Sequence, residues 1–342
     1  MRVAVYYNNR DIRIEERPVP QIGPGEILMR VEACGICGSD VMEWYRVKRA
    51  PLVLGHEVAG EIVEVGEGVE RYRVGQRITA SHHVPCNTCH YCLSGHHTVC
   101  ETLRRTNFDP GGFAEYIRLP AINVDRGVYP IPDEVSFEEA TFTEPLACVL
   151  RGQRLANVKP GDNILVIGSG VAGILHIQLA RAMGAGKIVA TDVNDYRLEM
   201  ALKFGADEAF HASEDIPARL REVYDGLLAD KVIVCTTAAS AIAQAFESVD
   251  RGGTILFFAP TEPGVTFPLD LNKVFWRSEV TLTSSYAGSP ADHVVALKLI
   301  RSRVIRVREM ITHRFGLSDI VKGFQLVANP EKSLKVIIEP QK

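Results

Sequence analysis

Two textures of apolar and polar positions divide the chain. Up to about residue 140 the apolar residues fall in short runs such as EILMRVEA and GEIVEVG, broken by glycine- and proline-bearing stretches like QIGPGE and VGEGVERYRVGQ. Short β-rich runs between turn residues predict a compact, twisted β domain. From Pro160 onward NILVIG, KIVATDV, KVIVCTT, GTILFFAP and VTLTSS have the unbroken apolar character of strands, and AGILHIQLARAMGA and YRLEMALKFGA separate the early ones with helical spacing. Strand and helix in alternation predict an α/β domain with a doubly wound parallel sheet. After Ala287 an amphipathic segment, DHVVALKLIRS, precedes a final β-like run, LKVIIEP. Periodicity leaves open which domain these two join. There is no fixed-period repeat, no low-complexity tract and no long Gly/Ser linker.

The α/β half opens with a nucleotide motif. Gly168, Gly170 and Gly173 stand at GxGxxG spacing in IGSGVAGIL, after an apolar strand and before a helix. The first glycine permits the tight turn, the second lets backbone approach a pyrophosphate, and the third lets helix and strand pack closely. Val171 and Ala172 then offer free N–H groups at the helix N-terminus. Asp192 closes the next strand about twenty residues on, where an acid binds both ribose hydroxyls and repels a 2′-phosphate, so the pattern predicts NAD. Arg197 softens that preference if it reaches the site, and otherwise sits on a solvated helix face.

Composition removes several classes of function. The chain has 342 residues, 46% hydrophobic and 23% charged, which is ordinary for folded domains with substantial cores. A formal net charge of −4 leaves no cationic field for a phosphate backbone, so no nucleic-acid partner is expected. The stretch MRVAVYYNNRDIRIEERP carries charges where a signal peptide needs an apolar run, and no segment reaches the roughly 18 apolar residues of a membrane span. These features predict a cytoplasmic protein with no membrane partner. Thiols stay reduced in that compartment, which turns the cysteine-dense loop at 85–100 from a disulfide framework into a metal site.

In that loop Cys86, Cys89, Cys92 and Cys100 have the spacing C-x2-C-x2-C-x7-C. Four thiolates close a tetrahedral Zn²⁺ shell and leave no position for substrate, the mark of a structural site. A ferredoxin-type cluster would want three residues before the last cysteine and a proline after it, and neither holds here. His90, His96 and His97 read as surface residues of the loop. A second set is spread out: Cys37 in GICGSD, His56 and Glu57 in GHEVAG, and Glu144 in TEPLAC. One sulfur, one imidazole and two carboxylates suit a Zn²⁺ that keeps a position open or exchanges it with water. Taken singly, each of these residues has an ordinary structural role open to it.

Together, and beside the dinucleotide motif, these residues resemble the zinc-dependent medium-chain alcohol/polyol dehydrogenases over essentially the whole chain. The resemblance rests on GHEVAGEIVEVGEGV, the four-cysteine lobe, GICGSD, and GSGVAG with Asp192. It implies a GroES-like β-rich catalytic domain at residues 1–149 and 288–342, bearing the structural zinc lobe, and a Rossmann NAD-binding domain at 150–287. It implies two Zn²⁺ per chain, the catalytic one at Cys37, His56, Glu57 and Glu144, and hydride transfer between a secondary alcohol and NAD. Glu144 stands where sorbitol-type enzymes carry a glutamate that reaches zinc directly or through water, so the polyol and L-threonine dehydrogenase branches are the nearest, with sugar-phosphate dehydrogenases behind them. Many relatives have a relay histidine shortly after CGSD; this chain has Met42, leaving Ser39 as the proton-passing residue. Trp44, Tyr45 and Arg46 are expected near the metal, or else on a solvated turn. The run EVTLTSSYA, residues 279 to 287, predicts an edge strand through which relatives form dimers and tetramers. A reading from another class is a zinc-containing NAD(H)-binding protein without turnover, which could dispense with the Cys37, His56 and Glu57 set that this chain retains.

Overall fold

The strand Ile27–Gly35 is buried at every position but Arg30 and Glu32, which pair with each other at 2.6 Å. It has that character because it lies inside a sheet. The strand Glu57–Val65 pairs with it antiparallel, as do Tyr116–Leu119 and Lys335–Glu339 at other parts of its length. The seven-stranded sheet runs Ile311–Gly316, Lys335–Glu339, Ile27–Gly35, Glu57–Val65, Arg77–Ala80 and Val128–Pro130, with Tyr116–Leu119 off this path. A smaller sheet orders Asp11–Glu16, Arg2–Asn8 and Leu52–Val53. The computed structural model describes residues 1–342, Lys273 by its backbone alone.

The chain forms two units, Met1–Ala147 with Ala287–Lys342, and Cys148–Tyr286. The first unit's core explains why residues 287–342 belong to it. Phe324, on the helix Ile320–Ala328, lies 5.9 Å from the ring of Tyr6 and 5.8 Å from that of Phe113. Leu317, Ile320, Val336 and Ile338 join the same buried cluster. The amphipathic run after Ala287 is the helix Pro290–Arg301, started by a capping box in which Ser289 and Asp292 exchange hydrogen bonds with each other's backbone N–H.

The second unit is a six-stranded parallel sheet in the order Glu208–His211, Ile188–Asp192, Ile164–Ile167, Ala229–Val234, Val249–Phe257, Thr281–Ser284. Ile164–Ile167 and Ile188–Asp192 are buried throughout, as strands covered on both faces must be. In chain order this is 3-2-1-4-5-6, the doubly wound dinucleotide-binding arrangement, whose ligand crevice lies at the carboxyl end of the strand where the order reverses. That strand is Ile164–Ile167, and Gly168 follows it directly. Thr281–Ser284 lies at the sheet edge, mostly exposed. Among the described residues no helix is long and apolar enough to cross a membrane.

Candidate functional site

The four-cysteine loop folds into a closed knot of sulfur. The donor atoms of Cys86, Cys89, Cys92 and Cys100 all lie within 4.8 Å of one another. Cys86 Sγ is 3.9 Å from Cys92 Sγ and 3.6 Å from Cys100 Sγ, and Cys89 Sγ is 3.6 Å from Cys92 Sγ. A tetrahedron with Zn–S bonds of about 2.3 Å has edges of about 3.8 Å, so the sulfurs stand at the spacing a zinc ion requires. Backbone N–H groups of Thr88 and Cys89 point at Cys86 Sγ, at 3.5 and 3.3 Å, and with the Thr88 side chain they pull this thiol down to about 5. Arg126 ties the loop to the helix Ala121–Arg126 by donating to the carbonyls of Pro85 and Cys86. His90 and His96 are exposed and His97 is half-buried, and none of them joins the sulfur group.

The second donor set is assembled by two turns. Cys37 caps the short helix Gly38–Val41: its sulfur accepts the Ser39 N–H at 3.4 Å, while the Asp40 carboxylate accepts the Cys37 N–H at 3.1 Å. His56 follows Gly55, whose φ of +94° and lack of a Cβ are both required, since a Cβ there would lie 2.7 Å from the Phe113 nitrogen. The donors of Cys37, His56 and Glu57 come within 4.8 Å of one another. His56 turns Nδ1 toward Asp40 Oδ1 at 3.4 Å, leaving Nε2 for a ligand. Burial alone would press His56 down, but Asp40 outweighs it and holds the imidazole well above its ordinary range. A metal at Nε2 requires the neutral imidazole. Sulfur, imidazole and carboxylate together fit zinc with a position to spare.

Glu144 is not in that group. It lies in the first turn of the helix Thr143–Leu155 and is 8% exposed. Glu57 has a partner that no local pattern announced: its carboxylate is ion-paired with Lys335 Nζ, each side chain 1% exposed. Lys335 also donates to the Ile36 carbonyl at 3.3 Å and stands over the Phe142 ring. Asp40 was likewise unmarked as the partner of His56. A third unanticipated neighbour is His82, whose ring is 4.9 Å from His56 and 3.8 Å from His83. Burial, with His83 and His56 beside it, presses His82 well below the ordinary imidazole range, and burial takes His83 down to about 4. A charged residue in the strand-like LKVIIEP and a histidine doublet before the cysteine loop were the only signals for these in the sequence.

Ser39 is half-buried on the Cys37 turn, and its hydroxyl accepts from Arg46 Nη2 at 2.9 Å. Arg46 is only 14% exposed, unlike its neighbours Lys48 and Arg49. Trp44 and Tyr45 are half-buried beside it, and the Arg46 guanidinium lies 4.7 Å from the Tyr45 ring centre.

In the second unit Gly168 takes φ of +93°, and its carbonyl lies 2.0 Å from where a Gly173 Cβ would be, so the strand and the following helix meet at a distance only glycine allows. Gly170 caps the helix Val171–Ala182 with no side chain satisfying its first N–H groups. Asp192 Oδ2 accepts the Ser169 N–H at 2.7 Å, and Oδ1 that of Asn194 at 3.0 Å. Both oxygens keep a lone pair for further donors. Arg197 sits beside them, Nη1 at 4.0 Å from Asp192 Oδ2 and its guanidinium within 3.7–3.8 Å of a Cβ built on Gly170. The glycine turn, open N–H groups and terminal carboxylate fit a dinucleotide.

Comparison with known proteins agrees with both units. Residues 23–133 match the alcohol dehydrogenase GroES-like domain and residues 171–302 the zinc-binding dehydrogenase domain. Sorbitol dehydrogenase of Mus musculus is 31% identical, covering 98% of this chain and 94% of its own. L-threonine 3-dehydrogenase of Rhizobium johnstonii is also 31% identical, covering 95% and 94%. A Sinorhizobium meliloti protein classed with the zinc-binding dehydrogenases and solved with NADP superposes with a TM-score of 0.88, at 27% identity over 99% of both chains. With both units matched and a relative 31% identical over nearly its whole length, this chain belongs to the zinc-dependent medium-chain alcohol/polyol dehydrogenase family.

Proposed function

We propose that this protein oxidises the secondary alcohol of a polyol, sugar alcohol or sugar derivative with NAD as acceptor, and runs the reverse reduction at the same site. The observation that carries the reading is the meeting of Cys37, His56 and Glu57 within 4.8 Å, with Ser39 on the same turn as Cys37. Zinc held there would lower the pKa of a substrate hydroxyl as a Lewis acid. Cys37 and His56 fix the site, Asp40 orients His56, and Ser39 accepts the hydroxyl proton. NAD held at Gly168–Gly173 would supply the hydride acceptor, the carbinol becoming a ketone and the cofactor NADH. Glu144, buried and acidic, is proposed as the exchangeable fourth donor.

NAD is preferred to NADP in this reading because Asp192 ends the strand that follows the glycine turn and its helix, where an acid meets the ribose in such folds, although the Sinorhizobium meliloti neighbour carries NADP. The grouping of Cys86, Cys89, Cys92 and Cys100 as a metal site suits a cytoplasmic location. The exposed edge strand Thr281–Ser284, with Trp276 and Tyr286 exposed near it in sequence, supports a homodimer or tetramer. The likeness to L-threonine 3-dehydrogenase favours threonine as the second reading for the substrate.

A panel of sugar alcohols, L-threonine, sugar phosphates, ethanol and other short alcohols, assayed for NAD and NADP reduction, tests both points. A polyol or sugar derivative is expected to have the highest kcat/KM, NAD is expected to outperform NADP, and Asp192→Ser is expected to narrow that gap. Ethanol as best substrate refutes the substrate class, threonine as best moves the protein to the second reading, and wild-type preference for NADP refutes the role of Asp192.

A further inference from the structure

We propose that Arg46 is a positioning residue that sets the direction of proton transfer through Ser39. The inference rests on the dehydrogenase reading above. Arg46 Nε donates to the Ser39 carbonyl at 2.9 Å, and Nη2 donates to Ser39 Oγ at 2.9 Å and lies 3.4 Å from Asp40 Oδ1. Asp40 is fully buried, and the same Oδ1 faces His56. One guanidinium thus grips the backbone and hydroxyl of Ser39 together with the carboxylate that orients His56. The Tyr45 ring holds it from another side, 4.7 Å from the guanidinium carbon.

The chemistry of the donor decides what this does. A guanidinium has N–H donors and no acceptor, so the Ser39 hydroxyl can meet it only through a lone pair. A serine hydroxyl has one hydrogen and two lone pairs. With one lone pair fixed on Arg46, the other is free to accept the substrate proton, and the hydrogen must point away from Arg46. Ser39 therefore gains the substrate proton as it gives its own to water, and remains a neutral hydroxyl throughout; the electron pair leaves with the hydride to NAD. The positive charge at 2.9 Å also disfavours any build-up of positive charge on Oγ, which hastens release of the outgoing proton. Met42 leaves no titratable side chain three residues after Ser39, so the orientation of one hydroxyl carries a task that a relay base would otherwise share.

The test is a double-mutant cycle on the zinc-loaded enzyme with its best panel substrate, comparing Arg46→Met, Ser39→Ala and the pair. R46M is expected to lower kcat/KM about 100-fold, the lower range for a positioned proton-transfer group, and to raise the solvent deuterium isotope effect. In the S39A background R46M is expected to cost less than about threefold, because the residues act as one unit. Arg46→Lys keeps the charge without the fork, so it should recover part of the loss, and the cycle can be run with R46K if R46M does not fold. Zinc content and melting temperature are measured alongside. A crystal structure of R46M gives a readout independent of turnover, with Ser39 expected to leave its wild-type rotamer. Equal losses from R46M with and without Ser39, or an unmoved Ser39 rotamer in R46M, overturn the proposal. Absence of any NAD reduction by the wild type across the panel refutes the dehydrogenase reading instead, and the rotamer comparison still decides the positioning role.

Discussion

Replacing Lys335 by methionine puts a number on the pair that underlies the candidate metal centre. Lys335 and Glu57 are each 1% exposed, and the ammonium has two partners, the Glu57 carboxylate and the Ile36 carbonyl. Methionine keeps much of the stem's packing over Phe142 and removes the charge. Glu57 is then a carboxylate in the interior of the first unit without its cation, and breaking a buried pair in this way costs roughly 3–5 kcal/mol. For a unit of this size each kcal/mol moves the melting temperature by about 2–4 °C, so a fall of roughly 10 °C is expected in metal-stripped protein. Zinc beside Glu57 supplies the missing positive charge, so the loss should be distinctly smaller in zinc-loaded protein. The double variant Lys335→Met with Glu57→Gln should recover most of the stability, since no unpaired charge is left. Differential scanning calorimetry on the three proteins, with and without zinc, reads all of this. A K335M protein that melts within 1–2 °C of wild type when stripped, or a double variant less stable than K335M, refutes the reasoning.

Elemental analysis should find two zinc ions per wild-type chain and one in Cys89→Ser, with a lower melting temperature in the variant, because a structural zinc contributes folding free energy; a single zinc in folded wild type refutes the two-site reading. Burial takes His176 down to about 3, against about 6.5 in an unfolded chain, so the unfolded state takes up a proton that the native state refuses as pH falls below 6.5. Its contribution is present in full above pH 6.5 and is lost toward pH 3 by up to about 1.4 kcal/mol per unit, so His176→Leu should flatten the fall in stability between pH 6 and 4.5, and an unchanged slope counts against it.

What the sequence disclosed and what it withheld follow from separation along the chain. The sulfur site was legible because its four ligands lie within fifteen residues and their spacing is itself the geometry. Gly168 to Asp192 was legible because a strand, a turn and a helix in succession leave the chain one way to go. Cys37, His56 and Glu57 sit on two turns, and their meeting became readable only through likeness to a family. Lys335 and Glu57 are 278 residues apart, and nothing in the alternation of LKVIIEP says which way the lysine faces. Arg46 was placed near the metal by proximity in sequence, yet its grip on Ser39 depends on a short helical turn whose direction no pattern reveals.

The strand Lys335–Glu339 pairs with Cys34 and Gly35, immediately before the Cys37 turn. During synthesis Glu57 emerges long before its cation exists, and all of Cys148–Tyr286 is made in the interval. At 5–20 residues per second the delay is of the order of tens of seconds. For that time the edge at Cys34 and Gly35 that Lys335–Glu339 covers stays open beside the Cys37 turn, and the parallel-sheet unit is made in full before it can close. The strand that closes this edge is thus separated from its partner strand by the whole of Cys148–Tyr286. A chain cut before Lys335 would carry the whole of Cys148–Tyr286 and would leave Glu57 without its cation.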